Sequence, residues 1–211
     1  MFSFLRRKKK SFERDTYFYD DIYRTGGHLG SYHLHYSESP YLRVWQRGLE
    51  IIASLGQPDV LDIGCGPGQF ANLLYDNGVT AYTGIDHSAE AVKLARQNVP
   101  ALEDKFIVGD VFSPGILPKC FDITVLFEVL EHMERDLDLL ALFPGGKRVL
   151  FSVPSYSSPS HVRRFKTSQS VMKRYQKIVD IISLDVFQDC PEEGKTIYLV
   201  YGTMKSHSHQ R

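Results

Sequence analysis

The stretch LDIGCGPGQF, residues 61–70, decides how the chain is read. A short apolar run ends in three glycines spaced G-x-G-x-G, and the pattern that follows, QFANLLYDNG, has helical periodicity with a glycine at its end. Glycines there let the backbone turn sharply and approach a ligand closely, while the new helix presents free N–H donors. A buried strand, a glycine turn and a helix in immediate succession are the parts of a nucleotide site.

Working outward, the same alternation repeats. DVLDIG (59–64), AYTGID (81–86), KFIVGD (105–110), FDITVLFE (121–128) and KRVLFSVP (147–154) read as strands, with a helix at 88–99 that Ser88 caps and Pro100 follows. Strands alternating with helices at this spacing predict an α/β fold around a parallel sheet. The last part departs from that rhythm. A helix is expected at 167–178, then VDIISLDVF and KTIYLVYGT as two strands joined by DCPEEG, a connection short enough only for an antiparallel pair.

Acidic residues recur where ligands are bound in open α/β sheets. Asp86 closes the second strand 24 positions after Asp62, where a carboxylate can take both hydroxyls of a ribose, and Asp110 closes the third strand. A dinucleotide fingerprint, G-x-G-x-x-G, would need glycine where this chain has Gln69. The arrangement resembles instead the class I S-adenosylmethionine (SAM) methyltransferases, over roughly residues 58–204. The resemblance implies a Rossmann-like, seven-stranded, mostly parallel sheet with a reversed last strand and helices on both faces. It implies SAM as cofactor, with Gly64, Gly66 and Gly68 around the methionine end and Asp86 at the ribose; Asp62 and His87 are further cofactor-binding candidates. Asp110 and Val111 would flank the adenine, and Phe127 is also a cofactor-binding candidate. Cys65 also falls in this turn, as a small packing residue.

The segment FEVLEHM (127–133) carries the remaining chemistry. A helix starting at Glu128 would put Glu128, Glu131 and His132 at i, i+3 and i+4, on one face. Beside a methyl donor, His132 could remove the acceptor's proton, with Glu128 orienting it. Alternatively the trio could hold a divalent ion such as Mg²⁺ or Mn²⁺, with His161 from SVPSYSSPSHVRRF (152–165) as a fourth ligand. A solvated polar face is the plain alternative. Glu-x-x-Glu-His followed by a later His is similar to the small-RNA 3′-end 2′-O-methyltransferases, where the equivalents bind metal. Ubiquinone-pathway O-methyltransferases carry a similar segment.

Residues 1–50 form a separate expectation: a basic tail, MFSFLRRKKK, then an aromatic leader with Tyr17, Tyr19, Tyr23, Tyr32, Tyr36, Tyr41 and Trp45 around the flexible TGGHLGS (25–31). The leader is expected either to lie over the site as a lid or merely to cover the edge of the core. The methyltransferase domain is set at 51–204 and a disordered tail at 205–211. Arg163 and Arg164 are taken as solvated.

Composition bounds the rest. With 25 basic and 25 acidic residues the net charge is zero, which argues against a surface built throughout for nucleic acid. Three scattered cysteines suit neither a disulfide framework nor a zinc site and fit a reducing cytoplasm. No apolar run reaches the length of a transmembrane helix, and the basic run is not followed by the apolar region of a secretory signal. The expected function is SAM-dependent methylation of a hydroxyl on a small molecule. RNA 3′-end methylation and a non-catalytic SAM-binding module are the alternatives.

Overall fold

The computed structural model describes residues 13–190 and 195–206. Seven strands form one sheet in the order β3-β2-β1-β4-β5-β7-β6. Five are parallel: β1 (Val60–Ile63), β2 (Tyr82–Asp86), β3 (Phe106–Val108), β4 (Ile123–Leu126) and β5 (Arg148–Pro154). β7 (Lys195–Met204) runs antiparallel to β5 on one side and to β6 (Val179–Cys190) on the other. The last strand is thus reversed, as expected, and it is inserted inside the sheet between β5 and β6.

Period-two alternation sorts the strand residues onto two faces. Val60, Ile123, Val125, Leu150 and Leu199 point to one face, which is covered by α2 (Leu42–Ala53), α3 (Gln69–Asp76) and α4 (Ala89–Asn98). Leu61, Ile63, Leu126, Phe151 and Val200 point to the other, against α5 (Asp136–Ala141) and α6 (Ser168–Tyr175). Both faces are therefore apolar and covered, as a parallel sheet requires. Fully burying one such Leu or Phe contributes roughly 1.5–3 kcal/mol. α2 runs through position 51 and delivers Val44, Trp45, Ile51 and Ile52 to the core.

Local signals set the helix starts. The Ser88 side chain accepts from Ala91 N at the head of α4, and Thr167 with Ser170 closes a reciprocal cap on α6. Ahead of the sheet, Asp15 caps α1 (Thr16–Thr25), which ends at Gly26 in the left-handed conformation. TGGHLGS then winds into a 3-10 helix, His28–His33.

Two expectations need correction. The FEVLEHM segment is not helical: β4 stops at Leu126, a string of turns covers 127–135, and α5 begins only at Asp136. The cause sits at Glu128, whose φ of +54° throws the chain into a left-handed turn. Its N–H then donates to Ser152 Oγ on β5 rather than to a helical carbonyl. Arg163, in turn, is not solvated. It lies half-buried, donates to the carbonyls of Leu130, Met133 and Glu134, and pairs with buried Asp136 at 3.2 Å. The turn's outward carbonyls need donors, and Arg163 supplies them. Arg164 is exposed.

The basic run, the tail histidines and residues 191–194 of the strand connection lie outside the described residues. Among the described residues no helix is long and apolar enough to cross a membrane.

Candidate active site

A cavity of about 1400 Å³ opens over the carboxyl ends of β1, β2 and β4. One end is built from the glycine turn. Gly64 and Gly66 hold φ of +72° and +53°, which L side chains rarely adopt. A Cβ at Gly64 would come within 2.5 Å of Val129, and one at Gly66 within 3.3 Å of the Tyr23 hydroxyl. The cradle therefore depends on bare backbone. Asp86 fastens it: one carboxylate oxygen accepts from Gly66 N at 3.0 Å and the other from Ser88 N at 2.9 Å. Each oxygen keeps a second lone pair for a ligand hydroxyl. Burial nevertheless raises the Asp86 pKa against those donors.

The other residues expected at this end line the same cavity: Asp62, Cys65, His87, Asp110, Val111 and Phe127. Asp62 is buried beneath the turn and accepts from the Tyr82 hydroxyl at 2.8 Å, and burial pushes its carboxyl up to about 7. Burial likewise raises the Cys65 thiol, which keeps it protonated and inert. Gly68 lies behind, where a Cβ would meet Ala95 at 3.0 Å, so it packs α3 on α4. β3 ends at Val108, two residues short of Asp110. Asp110 is exposed and accepts from Phe112 N at 2.9 Å.

The far end gathers what FEVLEHM and the loop after β5 provide. Glu131, His132 and His161 bring one ligand atom each within 4.8 Å of one another. Glu131 is fully buried, and neither of its oxygens finds a hydrogen-bond donor among the described residues. His132 Nε2 is nearest, 3.7 Å away. His132 Nδ1 lies 3.1 Å from the Ser160 carbonyl, so it carries the proton and leaves Nε2 bare. Burial, with His161 alongside, pushes His132 down to about 4; burial also lowers His161. Burial and then the neighbouring Glu128 raise Glu131 well above the usual carboxylate range. Two neutral imidazoles and an orphaned carboxylate fit a divalent cation, whose charge would reverse that last shift. Glu128 lies beside Glu131 but is not one of the three converging ligands. Ser152 Oγ donates to it at 2.8 Å and the Tyr156 hydroxyl at 3.3 Å.

Tyr19, Tyr23, Tyr32, Tyr41 and Trp45 of the leader line the cavity, whereas Tyr17 is 83% exposed and Tyr36 bonds Asp76 on the outside. Sequence reasoning missed Ser152 and Tyr156. A lone serine within the apolar run VLFSVP was the available signal for the first. Tyr156 offered none.

Known proteins share the domain and the fold. The family model described as "Methyltransferase domain" matches residues 61–150. Over residues 61–150 the chain carries a methyltransferase domain. A mitochondrial ubiquinone biosynthesis O-methyltransferase of Schizosaccharomyces pombe is 33% identical over 104 residues, covering 44% of this chain and 37% of that protein. A trans-aconitate 2-methyltransferase of Rhodopseudomonas palustris is 32% identical over 110 residues, covering 49% and 41%. The methyltransferase domain is thus aligned with well under half of either relative's length. Among solved structures, the N-methyltransferase NodS of Bradyrhizobium japonicum, bound to S-adenosylhomocysteine (SAH), superposes with a TM-score of 0.61 at 18% identity, covering 78% of this chain and 87% of that one. That likeness concerns the fold.

Proposed function

We propose that the protein is a SAM-dependent methyltransferase acting on a hydroxyl of a small-molecule acceptor. The observation that carries this reading is one cavity with the glycine turn and Asp86 at one end and Glu128, His132 and His161 at the other, with buried Glu131 behind the two imidazoles. When bound, SAM supplies a methyl group activated by its sulfonium. The turn at Gly64 and Gly66 would hold the methionine end, Asp86 and His87 the ribose, and Asp110 with Val111 the adenine. Phe127 would form the apolar wall between the two ends.

At the acceptor end, the bare Nε2 of neutral His132 can take a hydroxyl proton, with Glu131 3.7 Å away. Such a base contributes about 10²–10⁴-fold, and holding the acceptor in line contributes roughly 7–11 kcal/mol of the barrier. The orphaned Glu131 carboxylate supports a second role for the same residues, as ligands of a divalent ion that acidifies the hydroxyl. Carboxylates at this end oppose an acidic acceptor, so the O-methyltransferase name of the first relative fits better than the trans-aconitate name of the second. The aromatic leader would cover the site and shape the acceptor pocket. Free Cys65 and Cys120 support a reducing, cytoplasmic setting.

The test is transfer of labelled methyl from SAM into cell extract, separated into small-molecule and RNA fractions, with and without EDTA. Label in small molecules is expected. Label in RNA would move the acceptor assignment to a nucleic acid, and loss with EDTA would establish the metal role. SAH binding without transfer to any fraction would make the protein a binding module.

A further inference from the structure

The N-terminal helix α1 covers the cavity yet contributes no buried residue of its own. Its seating rests on polar ties to three separate walls. Glu13, just ahead of it, accepts from Glu134 N at 2.8 Å, and Arg14 donates to the Pro159 carbonyl at 3.2 Å. The third tie is Asp20. One of its oxygens accepts from Ser88 Oγ at 2.5 Å and from Glu90 N at 3.3 Å. Asp20 thus sits on the N-terminus of α4, where free N–H groups favour a carboxylate. Behind α1 the chain leaves through Gly26 and Gly27, both at positive φ.

Ser88 makes this tie more than a clamp. It is fully buried, and its own N–H donates to Asp86, the carboxylate assigned to the ribose. Its Oγ accepts from Ala91 N while donating to Asp20. One residue therefore joins the floor of the cofactor site to the roof. The residue before Asp20 is Tyr19, whose ring lies 5.0 Å from that of His87 and 5.9 Å from that of His132. It spans the junction of the two ends of the cavity. Its hydroxyl is buried and has no hydrogen-bond partner among the described residues, which leaves it for a ligand.

We propose that Asp20 is a positioning residue that couples cofactor occupancy to the seating of α1, through the chain Asp86–Ser88–Asp20, and so places Tyr19 over the reacting groups. Filling the site at Asp86 fixes the α4 N-terminus, and a fixed N-terminus holds Asp20. In the empty protein the roof opens about Gly26 and Gly27 to admit ligands. The proposal rests on the assignment of the glycine turn and Asp86 to SAM.

Hydrogen–deuterium exchange of the amides of residues 16–25, with and without saturating SAH, tests it. In the wild type SAH is expected to slow these amides by about ten- to a hundredfold, the size of a hydrogen bond to a charged group. Asp20→Ala should still bind SAH, measured by calorimetry, but lose that slowing. Asp20→Asn, which keeps an acceptor oxygen, should recover part of it. Because α1 buries nothing in the core, the thermal midpoint should barely move. Equal slowing in wild type and Asp20→Ala would overturn the coupling, as would SAH bound to the wild type with α1 exchange unchanged. Failure of the wild type to bind SAH at all would overturn the cofactor assignment and the coupling together, a result that calorimetry separates from the other two.

Discussion

The two ends of the cavity are built in opposite ways. The cofactor end is built mainly from one continuous stretch, residues 62–88, joined by Asp110, Val111 and Phe127, and that stretch works largely through backbone: two glycines at positive φ and N–H groups held by Asp86. The acceptor end is assembled from α1, the turn after β4, Ser152 on β5 and the loop carrying Tyr156 and His161, and its contacts are made by side chains. Backbone cradles tolerate little variation because a single Cβ fills them. Side-chain walls can be rebuilt one residue at a time. The difference teaches where this protein is constrained and where its choice of acceptor resides.

Perturbing one end should leave the other intact, and four substitutions test that. The largest effect is expected from His132→Ala, which should lower kcat by about 10²–10⁴-fold while SAH affinity stays within error by calorimetry. A fall in SAH affinity of comparable size would erase the division between the ends.

Asp62→Asn sharpens the cofactor end through its pH response. With its folded pKa raised from 3.8 to about 7 by burial, the native protein holds a proton that the unfolded chain releases. The stability Asp62 contributes is therefore complete below pH 3.8 and is lost as pH rises through 7, by up to about 4 kcal/mol. Asn keeps the Tyr82 hydrogen bond without ionising, so its thermal midpoint should gain on the wild type as pH rises from about 4 to about 7. Parallel melting curves across that range would refute the assignment.

Asp86→Ala removes the partner of Gly66 N and Ser88 N and should weaken SAH binding by about ten- to a hundredfold. The smallest effect belongs to Tyr156→Phe. Losing a neutral donor to Glu128 should lower kcat/KM for the acceptor by roughly two- to tenfold, with SAH affinity unchanged.

The same contrast explains what could be read from the amino-acid sequence. Strand order aside, all seven strands and the reversed close were legible, because period-two apolar runs, glycines and caps such as Ser88 act within a few residues. The meeting of Gly64, Gly66 and Asp86 at one cavity was legible for the same reason. FEVLEHM was misread as a helix because its spacing fits one. What decides its path is Glu128, held at φ +54° by Ser152, a partner 24 positions away. The convergence of Glu131, His132 and His161 survives that error, since a compact turn also brings i and i+1 to a shared neighbour. Arg163 was misread because its acceptors are turn carbonyls 29 to 33 positions upstream, and no local pattern announces them.

The insertion of β7 between β5 and β6 has a consequence for synthesis. β5 is complete at Pro154, yet its outer edge is paired only by Lys195–Met204. At 5–20 residues per second, the ribosome needs roughly 2–10 s to make the intervening chain. For that interval Arg148–Pro154, apolar on both faces, is an open sheet edge of the kind that recruits foreign strands. The yield of folded protein is therefore set by how fast the final hairpin arrives. Slow codons between β5 and β7 should cost more soluble product than the same codons placed before β1.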